Sequence, residues 1–223
     1  MENPFEAGQV ILINKPLHCT SADVVKEIRD LVNAKVGHAG TLDPLATGLL
    51  ILCTGKFTKK INEYMNQEKE YTGTFTLGAT TASYDLENEP GNFQDYTQVT
   101  DLQIQKTAEL FTGEIMQMPP AYSAIKKNGS RAYHLARQGK PVNLDPRKIT
   151  IRAFEMQSSR LPVIDFRVIC STGTYIRSLA HDVGQALGCG AYLSRLCRTR
   201  IGSYTLEESL TMEEAAKKFK TDS

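Results

Sequence analysis

At 223 residues and 41% hydrophobic side chains, the chain can build one substantial core and is too apolar to stay disordered. A formal net charge of +1 excludes an argument for nucleic acid or membrane surfaces from the total alone. Five cysteines without a Cys-x-x-Cys pair read as reduced core residues of a cytoplasmic protein rather than disulfides or a zinc site, and four histidines show no metal-ligand spacing.

Residues 9–14 are apolar and β-branched, which predicts a strand. Thr20 and Ser21 offer helix caps, and Val24, Val25, Ile28, Leu31 and Val32 follow at helical spacing to about Asn33. Residues 36–48 hold three glycines and Pro44 around a single carboxylate, Asp43, and read as a rigid loop. Residues 48–53 read as a buried strand and residues 57–66 as helical. Residues 69–77 alternate, putting Tyr71 on the same strand face as Phe75. Residues 85–97 form an acidic loop, and Thr100 caps a helix through Phe111.

From Pro120 to Arg152 there are eight basic residues and one acid, a local field able to hold phosphates. This stretch is expected to leave the core as a flexible excursion, with a helical piece over residues 130–138. Strands over 147–157 and 163–170, a helix between Gly173 and Gly188, and a strand over 192–204 carrying Arg195, Arg198 and Arg200 come next. A helical tail starts at Thr211, with Glu214 in capping-box spacing. Six strands and five helices, irregularly interleaved, predict an α+β fold with a mixed, mostly antiparallel sheet. The chain reads as a single domain, 1–223, with a basic insertion at 120–146 and a short tail at 205–223. No apolar run approaches membrane-spanning length.

Asp43 is the first candidate for chemistry, because a rigid loop presenting one acid can expose a nucleophile or a base. The plainer reading is turn chemistry, since Asp-Pro starts turns. A carboxylate at work in a water-poor pocket needs a nearby cation, and Arg177, after the turn at residues 171–175, is a candidate. Tyr71 and Tyr175 can stack on a base or move a proton, or simply pack. His38 and Lys15 carry weaker signals for contacting backbone or phosphate.

Five stretches in order resemble the TruB family of tRNA pseudouridine synthases. They are Ile13-Asn14-Lys15-Pro16 with residues 20–25, the glycine-rich loop at 37–48, Lys69-Glu70-Tyr71 leading to Leu77-Gly78, residues 119–126, and residues 173–179 ending with Leu196 and Arg198-Thr199. The resemblance implies the pseudouridine synthase catalytic fold. It implies that Asp43 is the catalytic aspartate, Tyr71 the tyrosine that stacks on the uracil, and Arg177 the arginine paired with the acid. By the same resemblance Tyr175 and Leu196 line the pocket and His38 lies near a flipped nucleotide. Lys15 falls within a family block, and Lys126, Lys127 and Arg131 of the basic stretch are assigned to gripping RNA. The chain departs from the family pattern at His18 and Asn88, where relatives have Gly, at Ala82, where they have Asp, and at Cys197, where they have Arg. About twenty residues follow Tyr204, too few for the C-terminal PUA domain that many relatives carry.

The implied activity is conversion of uridine 55 in the tRNA T loop to pseudouridine by base flipping, glycosidic cleavage and re-formation through C5. Attack of Asp43 on C1′, removal of a 2′ proton, and attack on C6 all remain open. The reaction conserves atoms, so no cofactor and no metal is expected. The expected partner is the T arm of tRNA, with no membrane, and the expected working form is a cytoplasmic monomer. Two other readings stand: a non-catalytic tRNA-binding or folding module, and a small-molecule enzyme using the glycine-rich loop for phosphate.

Overall fold

The apolar run beginning at Gly48 lies inside a sheet in the computed structural model, which describes residues 3–123, 125–127 and 130–220. The chain divides into two compact units, Met1–Thr72 with Leu196–Ser223, and Gly73–Arg195. Two strands, β4 (Lys69–Leu77) and β10 (Ala191–Ile201), begin in one unit and end in the other.

The first unit is built around β3 (Ala46–Thr54). On one side β3 pairs antiparallel with β1 (Val10–Lys15), from Val10 opposite Cys53 to Lys15 opposite Gly48. On its other side β2 (Val36–His38) pairs antiparallel and the last part of β10 pairs parallel, Leu196 opposite Ala46. Helices α1 (Pro4–Ala7), α2 (Ser21–Val32) and α7 (Met212–Lys220) cover one face, burying Phe5, Val24, Ile28 and Phe219 against Leu50 and Leu52. Leu49 and Ile51 face the other way, with Ala39 and Ile201. Burial on both faces explains why this strand reads as an unbroken apolar run instead of alternating. A 3₁₀ turn (Gly55–Lys60) and α3 (Ile61–Met65) make up the stretch expected as one helix, and the short β11 (Tyr204–Thr205) turns back on β10.

In the second unit the end of β4 neighbours β9 (Val163–Cys170), which pairs antiparallel with β8 (Arg147–Arg160), which in turn pairs with the edge strand β5 (Gly113–Gln117). Phe75 of β4 stacks on Phe166 of β9 with ring centroids 4.2 Å apart. Helix α4 (Asp101–Leu110) and helix α6 (Ile176–Ala186) bury Ile104 and Ala108, and Ile176, Leu179 and Val183 respectively. The basic stretch forms a hairpin of β6 (Lys126–Lys127) and β7 (Ser130–Arg131), followed by α5 (Ala132–Arg137).

Two further features differ from the sequence reading. The glycine-rich loop is shorter, because residues 36–38 pair with β3; Gly37 fits there since a Cβ would stand 2.7 Å from Ile61 Cδ1. Strand β5 had no forecast: it is five residues long with alternating partial exposure, too short for periodicity to register. The expected α+β class and the mixed, mainly antiparallel sheet are as observed.

Candidate active site

Asp43 is half-buried in the loop at 39–45 of the first unit, and the backbone is tied on both sides of it. The buried hydroxyl of Ser21, the first residue of α2, accepts from the Leu42 amide at 2.9 Å and donates to the Leu42 carbonyl at 3.1 Å. The His18 amide donates to the Pro44 carbonyl at 2.8 Å, and the Ala46 amide to the Asp43 carbonyl at 3.0 Å. The start of α2 is itself fixed by a capping box between Thr20 and Asp23. At Gly48, with φ +105°, a Cβ would lie 2.4 Å from the Arg198 carbonyl oxygen, so β10 approaches here only because the residue is glycine. His18 holds φ +60°, which suits the glycine the family pattern has at that position.

Three buried cations surround this loop. Arg198 is 1% exposed and donates to the carbonyls of Leu49 at 2.8 Å and Gly40 at 3.1 Å. Lys15 is fully buried at the end of β1 and donates to the carbonyls of Pro16 and Cys19. Lys69 donates to the carbonyls of Met65 and Gln67, and its Cε would lie 3.8 Å from a Cβ at Gly40. Burial lowers the Lys15 pKa, and Arg198 adds to this, while Cys19 and the Asp43 carboxylate pull it back up. The acid therefore lies within electrostatic reach of Lys15. His38, on β2, has a pKa lowered by burial and then by Arg198, and its Nδ1 is buried without a hydrogen-bond partner among the described residues. That environment favours the neutral imidazole. Tyr71 is 8% exposed on β4, two residues from Lys69, and Leu196 is 7% exposed on β10 opposite Ala46.

Arg177 and Tyr175 belong to the second unit. Arg177, in the first turn of α6, is 5% exposed; its Nε lies 3.7 Å from the Asp85 carboxylate, and it donates to the carbonyls of Ser83 at 3.3 Å and Tyr122 at 3.0 Å. Asp85 accepts from the Ser83 hydroxyl at 2.6 Å and the Glu87 amide at 3.0 Å. The Tyr175 backbone is clamped by the fully buried Gln117 side chain, which accepts from its amide at 2.9 Å and donates to its carbonyl at 3.0 Å. The Arg147 guanidinium sits 5.6 Å over the Tyr175 ring. Lys126, Lys127 and Arg131 lie on the β6–β7 hairpin, and their side chains fall outside the described residues.

The first unit thus carries Asp43, Lys15, His38, Tyr71 and Leu196, and the second carries Arg177 and Tyr175. Sequence reasoning missed Arg198, Lys69, Ser21 and Gln117 as clamps, and Asp85 as a partner of Arg177. Arg198 shares an inward strand face with Leu196, and that alternation was the available signal.

Residues 28–176 match the family model described as the TruB family pseudouridylate synthase N-terminal domain, and residues 177–222 match the tRNA pseudouridylate synthase B C-terminal domain. Among curated relatives, tRNA pseudouridine synthase B of Flavobacterium johnsoniae is 51% identical over 211 residues, covering 91% of this chain and 92% of its own length. The protein of the same name from Bacteroides fragilis is 50% identical over 213 residues, covering 92% and 91%. Among solved structures, a chain in the crystal structure of a Cbf5-Nop10-Gar1 complex aligns with a TM-score of 0.74 and 31% identity. That alignment covers 96% of this chain and about half, 54%, of the other.

Proposed function

Because the chain belongs to the TruB family of pseudouridylate synthases, we infer that it isomerises uridine 55 in the T loop of tRNA to pseudouridine. The observation that carries this beyond family membership is the Asp43 loop. Its backbone is bonded immediately before and after the acid, so the carboxylate is presented from a fixed position.

In this reading the target nucleotide leaves the loop stack and enters the enzyme, with Tyr71 as the surface on which the uracil lies. Asp43 opens the reaction. Attack at C1′, removal of the 2′ proton and addition at C6 all start from its carboxylate, and each leads to cleavage of N1–C1′ and rejoining through C5. The C5 proton then leaves with help from the Tyr71 hydroxyl. The family resemblance assigns Arg177 as the cation that orients Asp43; within its own unit the guanidinium is held by Ser83, Asp85 and Tyr122. Tyr175, Leu196 and neutral His38 line the nucleotide site. Lys15 holds the segment at 16–19 through the Pro16 and Cys19 carbonyls, and that segment meets the loop through the His18 amide. The basic residues Lys126, Lys127 and Arg131 take the phosphates of the T arm.

The decisive experiment is tritium release from uridine-labelled tRNA. Asp43→Asn is expected to lower turnover by at least about a thousandfold while tRNA affinity stays within about twofold. Turnover near the wild-type level would overturn the reading, and tRNA binding without release by the wild-type protein would favour a non-catalytic binding module.

A further inference from the structure

Arg177 is gripped by a turn that is itself in an unfavourable conformation. Tyr84 lies between Ser83, whose carbonyl accepts from Arg177, and Asp85, whose carboxylate faces it. Tyr84 has φ +64°, a left-handed conformation that a bulky aromatic residue rarely adopts. Its backbone is tied at both ends, the amide donating to the Thr81 carbonyl at 3.3 Å and the carbonyl accepting from the Leu193 amide at 2.9 Å. Its ring stacks on His181, with centroids 4.1 Å apart and planes 16° from parallel.

His181 stands four residues after Arg177, one turn further along α6 on the same face. The helix therefore meets three consecutive turn residues with two side chains: Arg177 takes Ser83 and Asp85, and His181 takes the ring between them. The His181 Nδ1 is buried with no hydrogen-bond partner among the described residues, so this histidine contributes through its ring face and not through that nitrogen. Burial also lowers its pKa, which keeps the ring neutral beside the arginine.

We propose that the Tyr84–His181 stack is a positioning device for Arg177, holding the Ser83–Tyr84–Asp85 turn in the strained conformation from which it grips the guanidinium. The proposal rests on the reading of Arg177 as an active-site group. Neither ring touches the substrate; both act through the arginine.

Steady-state kinetics on unmodified tRNA, with thermal denaturation in parallel, test it. His181→Ala should lower kcat about five- to tenfold with KM for tRNA within about twofold, the size expected for loss of one aromatic contact acting through a catalytic group. His181→Phe, which restores a flat ring, should recover most of the loss. Tyr84→Gly adopts the positive φ without strain but lacks the ring, so it should show the same kcat-specific loss even if His181→Ala folds poorly. Wild-type kcat in both His181→Ala and Tyr84→Gly, or no recovery in His181→Phe, overturns the proposal. A parallel Arg177→Ala separates the two levels: wild-type turnover there sinks the reading of Arg177 itself, whereas an inactive Arg177→Ala beside a fully active His181→Ala sinks only the stack.

Discussion

The Asp43 loop is bonded by, and the Ser83–Asp85 turn contains, a non-glycine residue with positive φ: His18 at +60° and Tyr84 at +64°. They are held by different means. His18 is exposed and serves through its backbone, whose amide caps the Pro44 carbonyl. Tyr84 is half-buried and serves through its ring. The contrast extends to the charged groups. Around Asp43 the cations Lys15 and Arg198 bond to backbone carbonyls, so position is set by the main chain. Around Arg177 the Ser83 and Tyr122 carbonyls also accept, but the carboxylate of Asp85 on the turn adds a charged side-chain contact, so position there depends on side chains as well as on the main chain. Side-chain substitutions should therefore change catalysis more in the second region than in the first.

The largest effect is expected at Asp85→Asn. The amide keeps the shape but removes the charge opposite a 5% exposed guanidinium. Breaking one side of a buried ion pair costs about 3–5 kcal/mol. Chemical denaturation should register a loss of that order, with kcat falling about ten- to a hundredfold as Arg177 loses its orientation. A stability loss without a fall in kcat would break the contrast. Next is Arg198→Met, which fills the volume but leaves the Leu49 and Gly40 carbonyls without their donor. Unsatisfied buried acceptors make a destabilisation of about 2–3 kcal/mol the expected reading. Activity at temperatures well below unfolding should fall far less than in Asp85→Asn.

Asp182, next to His181 on α6, gives a pH-dependent test of the second region. Burial raises its pKa from 3.8 to about 6. A carboxyl whose folded pKa is raised binds its proton more tightly in the folded state. Its favourable contribution is thus complete below 3.8 and lost as pH rises through about 6. Asp182→Asn should melt a few degrees above wild type at pH 8, by roughly 2–4 °C on the scale of a domain this size. The gap should close as pH falls through about 6 and vanish near 3.8. A gap independent of pH would show that the buried charge is not its cause.

The sequence exposed elements whose periodicity or caps are local. Helix α2 with its Thr20 cap, β3 as an apolar run, β4 with alternating burial, and the Thr211–Glu214 box were all legible. The Asp43 loop was legible as a dense cluster of Gly and Pro, though its first three residues join the sheet through pairing that no local pattern encodes. What stayed hidden were partnerships across long stretches of chain. Ser21 meets Leu42, Gln117 meets Tyr175, and Asp85 meets Arg177, 92 positions later in the sequence. In the sequence Asp85 is one acid among four in the acidic loop at 85–97, and only tertiary structure distinguishes it from its solvated neighbours.

The smallest predicted effect, at His18, sharpens the opening contrast most directly. An exposed residue in the left-handed region carries backbone strain, and its side chain makes no hydrogen bond among the described residues. His18→Gly removes the strain and keeps the amide that caps Pro44. Glycine also gives the unfolded chain more freedom, which offsets part of the gain. The balance is expected to be a stabilisation of about 0.5 kcal/mol or less, with kcat unchanged. Denaturant titration and tritium release on the same preparation measure both quantities. The same substitution at Tyr84 relieves a comparable φ but removes a half-buried ring that the turn needs, so there both stability and turnover should fall. If both glycine variants behave alike, the two left-handed residues are equivalent backbone features, and the stack has no part in holding Arg177.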